Sequence, residues 1–193
     1  MSMRTYLSAI SSIEKLRNVV GCKDKELEKF LIENSFGKVN LKKMNASTRE
    51  DYEEACSAIR AMIDGEIEFE DGSWVHHFDA IGQQQELFLE PELPFSEYGH
   101  GAWSIYIEHV EEAVGKKATK LLTYLEQGRP MKASSIECDG SAYAWLTNKE
   151  IQLLHEALEQ IEVGEDFQGF HDELQASLAQ CVKTKCDLYM GSA

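Results

Sequence analysis

The chain has 193 residues, of which 43% are hydrophobic and 27% are charged, and its formal net charge is −15. This composition excludes a disordered chain, and the length suits one domain, 1–193, that folds without a metal or a disulfide. The negative charge argues against direct binding to nucleic acid or to an anionic membrane surface.

The first predicted elements are a strand and two capped helices. Residues 5–10 mix β-branched and aromatic side chains in a short run, which favours a strand. Ser11 or Ser12 then caps a helix that ends at Gly21. Asp24 is placed to cap a second helix, so the N-terminal part of the chain is predicted to be mainly helical.

The clearest helical pattern begins at Ser47 and stops at Gly65. Ser47 and Glu50 have the spacing of a capping box. Apolar side chains then recur at helical intervals, at Tyr52, Ala55, Cys56, Ile59, Met62 and Ile63. A short extended segment is predicted at 67–70, and a further helix is predicted after Ser73.

The longest predicted loop covers residues 89–101, which contain two prolines and two glycines. Loops of this kind often form binding sites. Two helices are predicted after it, over 103–114 and 118–127, and they are followed by a short hairpin or loop at 132–143.

The C-terminal part repeats the capping-box pattern at Thr147 and Glu150, which predicts another helix. A last helix is expected from about residue 168, and residues 186–190 are expected to form a closing strand beside the N-terminal one. These elements predict an α+β fold, predominantly helical, with a small sheet formed by short N- and C-terminal strands.

Residues with catalytic or metal-binding chemistry form no recognised motif. His76, His77 and Asp79 resemble a ligand cluster, but adjacent residues of a helix point roughly 100° apart. Histidine pairs with the i, i+4 spacing of a helical metal site do not occur, and the glycine patterns of phosphate loops and nucleophile elbows are also missing. We therefore predict no catalytic residue, no metal and no cofactor.

The cysteines and the N-terminus indicate a cytoplasmic protein. The five cysteines are widely scattered and form no closely spaced pair, which favours reduced thiols. The first residues lack the apolar core of a signal peptide, and no apolar run is long enough to span a membrane.

The acidic charge is concentrated between Glu50 and Gly115. This stretch contains 17 Asp and Glu residues and a single basic residue, Arg60, so its net charge is −16. Such a field attracts basic partners. Aromatic side chains beside the predicted 89–101 loop resemble the anchors of interface hot spots. The predicted partner-binding residues are Phe95, Glu97, Tyr98, His100, Trp103, Glu108 and Glu112. In the alternative interpretation, Trp103 and Tyr106 belong to the core face of their helix.

The string from Leu16 to Asp24, L-R-N-V-V-G-C-K-D, resembles the opening of an uncharacterised bacterial protein family. A later stretch, from Trp145 to Ile151, is also similar, and both features are more distantly similar to the YfbM-like proteins. The resemblance implies a bacterial source and an α+β fold. It transfers no functional residue, because the family has no established activity.

Two functions of different kinds follow from these observations. The first is a non-enzymatic interaction protein, such as an immunity protein or antitoxin, whose acidic segment binds a basic protein partner. The alternative is a small-molecule-binding protein or a hydrolase-type enzyme that uses histidine and carboxylate side chains near residues 90–106. A third hypothesis assigns the acidic residues to solubility alone.

Overall fold

A computed structural model describes residues 4–36, 40–65, 77–131, 137–138 and 141–192. In chain order its elements are β1 (Arg4–Ile10), α1 (Ile13–Arg17), α2 (Lys25–Phe36), α3 (Ala46–Asp64), α4 (His77–Gln84), β2 (Tyr98–Gly99), α5 (His100–Gln127), β3 (Glu137–Cys138), β4 (Ser141–Leu146), α6 (Asn148–Leu158), α7 (Glu165–Thr184) and β5 (Asp187–Ser192). The fold is α+β and mostly helical, as predicted. The extended segment predicted at 67–70 and the helix start predicted at Ser73 lie outside the described residues.

The described strands form one antiparallel sheet in the order β2-β1-β5-β4-β3. β1 and β5 pair from Thr5 opposite Ser192 to Ile10 opposite Asp187. This pairing confirms the prediction that the N-terminal and C-terminal strands lie side by side. The hairpin or loop predicted at 132–143 contains β3 and the start of β4, which pair with each other.

Helices cover both faces of the sheet. Successive side chains of a strand point to opposite faces, so each strand contributes to two cores. In the core packed against α5, α6 and α7, the sheet contributes Leu7, Ala9, Ala144, Leu146, Leu188 and Met190. In the core packed against α1 to α4, the sheet contributes Ile10, Tyr143, Trp145 and Tyr189, and the half-buried Tyr6 packs against it. The edges of the sheet are therefore the places where its backbone is open to a partner.

The predicted start of α3 is wrong by a short distance, whereas its predicted end is confirmed. Asn45, not Ser47, caps the helix, and its side-chain oxygen accepts a hydrogen bond from the N–H of Thr48 at 2.9 Å. An asparagine is as good a cap as a serine, and this one stands two residues earlier. Gly65 ends the helix with a φ of 78°, a conformation that favours glycine.

Later helix boundaries agree with the sequence patterns more closely. Gly115 interrupts α5 with a φ of 76°, which confirms that two helical stretches meet there. The capping box of α6 is present, and the N–H of Thr147 donates to Glu150 at 2.9 Å. α7 begins at Glu165, earlier than predicted, because its acidic first turn complements the helix N-terminus.

Candidate partner-binding site

A cleft of about 560 Å³ lies along the edge of β1. One wall is residues 6–9 of β1, with Asp79 and Gln83 of α4 beside them, and the opposite wall is the segment 88–97. The volume is within the usual range for sites that bind small molecules or side chains of a partner. We call this space the acidic cleft, because Asp79, Glu90, Glu92 and Glu97 line it.

Among the described residues, the charged side chains that line the cleft are all acidic: Asp79, Glu90, Glu92 and Glu97. The three glutamates are exposed to solvent. Arg4 lies just outside the cleft, where its Nη1 is 3.3 Å from Oε2 of Glu97. Because both of these side chains are more than half exposed, their ion pair is weak and leaves the lining strongly negative.

The segment 88–97 is held in place by hydrogen bonds at three points. Near its start, the N–H of Leu89 donates to the carbonyl oxygen of Ala9 in β1 at 3.0 Å. In its middle, the side-chain amide of Gln180 donates to the carbonyl oxygen of Pro91 at 3.0 Å. Near its end, the N–H of Ser96 donates to a carboxylate oxygen of α7 at 2.8 Å. The acidic wall of the cleft is thus fixed to β1 and α7.

An aromatic cluster beneath the segment adds a hydrophobic anchor. Phe95 is 8% exposed, and its ring centroid lies 5.1 Å from Tyr98, 5.5 Å from Trp103 and 5.4 Å from Phe170. Trp103 is fully buried, which confirms the alternative interpretation that it belongs to the core face of its helix. Phe95 and Trp103 therefore position the segment from below and present little surface to solvent.

The structure brings only part of the predicted partner-binding set to this cleft. Phe95 and Glu97 line it. The half-buried Tyr98 lies in the cluster beneath, where burial, and next the nearby Glu173, raise the pKa of its phenol. His100 begins α5, and its side chain is outside the described part of the chain. Glu108 and Glu112 are exposed on α5 but do not line the cleft.

The cleft wall contains a partly buried polar pair that the sequence does not predict. The hydroxyl of Tyr6 donates a hydrogen bond to Oδ2 of Asp79. Burial first, and then the negative charge of Asp79, raises the pKa of Tyr6, so this phenol stays a donor. Burial, and then the charge of Asp79, also raise the pKa of the nearby Tyr189. No local pattern signals the contact, because Tyr6 and Asp79 are 73 positions apart.

The described histidine side chains do not converge on the cleft. His109 stacks on Phe167 with ring centroids 4.5 Å apart, and His155 is hydrogen-bonded to Gln175. His171 is 7% exposed, and its Nδ1 lies 2.7 Å from the hydroxyl oxygen of Tyr106. Burial lowers the pKa of His171. These three histidines therefore make separate contacts within the helical layer.

The described part of the chain holds no group of three or more His, Cys, Asp or Glu side chains arranged to bind a metal ion. In the same residues, no helix combines the length and hydrophobicity that a membrane span requires. Comparison with protein-family models, with curated proteins and with solved structures gives no match to the chain. The function is therefore inferred from the cleft itself.

Proposed function

We propose that this protein is a non-enzymatic interaction protein of the bacterial cytoplasm that binds a basic protein partner, in the manner of an immunity protein or antitoxin. The observation that supports this proposal is the lining of the acidic cleft, whose described residues include Asp79, Glu90, Glu92 and Glu97 and no basic side chain. Four carboxylates within one concave surface focus a negative potential, which attracts a cationic segment and speeds its association.

The anchoring of the segment 88–97 also favours binding. A surface that is already fixed loses less conformational entropy when a partner binds than a surface that must first become ordered. The hydrogen bonds from Leu89, Gln180 and Ser96 and the burial of Phe95 fix the glutamates relative to β1. Complementary charge can then contribute to affinity without a large ordering cost.

Neutralising the cleft is expected to weaken binding of a basic peptide. In the triple variant Glu90→Gln, Glu92→Gln and Glu97→Gln, we expect the dissociation constant of a fluorescein-labelled octalysine peptide to rise about tenfold. The reason is the loss of three ion pairs that are each worth roughly 0.2–1 kcal/mol at an exposed site. Fluorescence polarisation at low ionic strength measures the change.

A matched control is available on α3, where three exposed acidic residues lie away from the cleft. The variant Glu50→Gln, Asp51→Asn and Glu54→Gln changes the net charge by the same amount. We expect it to bind octalysine nearly as tightly as the unmodified protein does. Equal weakening in both variants would mean that total charge, and not the cleft, attracts the peptide, and the proposal would then be wrong.

A further inference from the structure

The edge of β1 that borders the acidic cleft is only partly paired. On this side of the strand, β2 pairs with Arg4 and Thr5, and an isolated bridge joins Ile10 to Phe88. Leu7 lies between these two points and lines the cleft. A sheet edge left open in this way can accept an added strand from another chain.

The alternation of the backbone shows which polar groups face the opening. The carbonyl oxygen of Ala9 accepts the N–H of Leu89, so the polar groups of Ala9 point away from β5. Residues two apart in a strand point their backbone groups to the same side. The N–H and C=O of Leu7 therefore point into the cleft, and among the described strands neither β2 nor β5 pairs with them.

We propose that the partner enters the cleft as an extended basic segment, which adds a short strand to the sheet by pairing with Leu7. This inference rests on the proposed function and adds the mode of binding and the chemistry of the partner. The occupant is indicated by charge complementarity, since the walls beside Leu7 contain the four carboxylates of the cleft. The backbone would provide the hydrogen bonds, and the carboxylates would select basic side chains.

The two faces of the sheet predict the pattern of the bound segment. A residue directly opposite Leu7 has its side chain on the same face, where the apolar Leu93 and Phe95 lie in the same core. Its two neighbours point to the other face, where Tyr6 and Asp79 line the cleft. Together with the charges, this arrangement predicts the order basic, apolar, basic.

Asp79 adds a negative charge on that face. Its Oδ2 accepts the Tyr6 hydroxyl, and Tyr189 is a second hydrogen-bonding partner of the same carboxylate. A lysine or arginine side chain of the bound segment would be attracted to this charge across the cleft.

The test uses an acetylated and amidated tripeptide, Lys-Val-Lys, which matches the open stretch between Thr5 and Ala9, and two isomers with one added N-methyl group. In the first isomer the methyl group is on the valine nitrogen, which would face Leu7. In the second it is on the nitrogen of the lysine before the valine, which would face away from β1. Isotope-labelled protein reports binding through the amide signal of Leu7.

We expect the parent peptide and the lysine-methylated isomer to bind alike and to shift the Leu7 amide signal. We expect the valine-methylated isomer to bind at least tenfold more weakly, because its methyl group removes the donor and blocks approach to the strand. If both isomers bind equally well, in a salt-sensitive manner, and the Leu7 signal does not move, strand addition is wrong and the proposed function stands. If none of the three peptides binds and octalysine also fails, the proposed function falls as well.

Discussion

Replacing Phe170 with alanine is expected to lower the free energy of unfolding by about 3–5 kcal/mol. Phe170 is 6% exposed, and its ring contacts four other aromatic rings, those of Phe95, Tyr98, Trp103 and Tyr106. The truncation would leave a cavity at the junction of α5, α7 and the segment 88–97, and the rings around it can only partly collapse. Urea denaturation measures the loss.

Two further variants separate the loss of volume from other effects. Phe170→Leu keeps most of the side-chain volume, so we expect a cost below that of the alanine variant. Phe167→Ala removes a ring from the same helix at a half-buried position, where it contacts Tyr106 and His109. We expect it to cost less than Phe170→Ala, about 1–2 kcal/mol, because part of this ring is exposed to solvent in the folded protein. Equal losses for Phe167→Ala and Phe170→Ala would contradict the central position of Phe170.

The second large effect is expected at Gly191, in β5. The phenol of Tyr6 lies directly over this glycine, so a Cβ atom there would overlap the end of the ring. The ring would have to leave its place and lose its hydrogen bond to Asp79. We expect Gly191→Ala to lower the free energy of unfolding by about 2–4 kcal/mol, which thermal and urea denaturation can measure.

The cause can be isolated with a double variant. In a Tyr6→Ala background the space over Gly191 is empty, so we expect the added methyl group to cost little there. Gly169 is a control for the substitution itself, because a Cβ at this helical position meets nothing within 4 Å. Gly169→Ala is expected to be neutral or to stabilise the protein by about 0.5–1 kcal/mol. A Gly191 cost that persists without Tyr6 would refute the steric explanation.

The features that could be predicted from the sequence are those set by neighbours along the chain. The capping box at Thr147 and Glu150 depends on a spacing of three residues, and the break at Gly115 depends on a residue that tolerates positive φ. The sequence predicts the start of α3 wrongly, because Asn45 and Ser47 are equivalent as caps and the local pattern does not distinguish them.

The candidate site could be predicted only in part. The sequence indicates the acidic, proline-bearing segment as a binding surface, and Glu97 does line the cleft. The contact between Asp79 and Tyr6 has no signal in the sequence, because it depends on how α4 packs against the sheet. The hydrophobic pattern around Phe95 and Trp103 fits either burial in the core or exposure as anchors for a partner. The structure shows that both are buried, with Phe170 packed against them.

The central claim, that the acidic cleft is the partner surface, is tested most directly by mapping where a basic peptide binds. Isotope-labelled protein is titrated with octalysine, and the amide signals are followed by nuclear magnetic resonance. We predict the largest shifts at Leu7, Glu90, Glu92 and Glu97, with saturation and with loss at high salt. Shifts spread evenly over the exposed acids, or centred on Glu50 to Glu54 of α3, would contradict the claim.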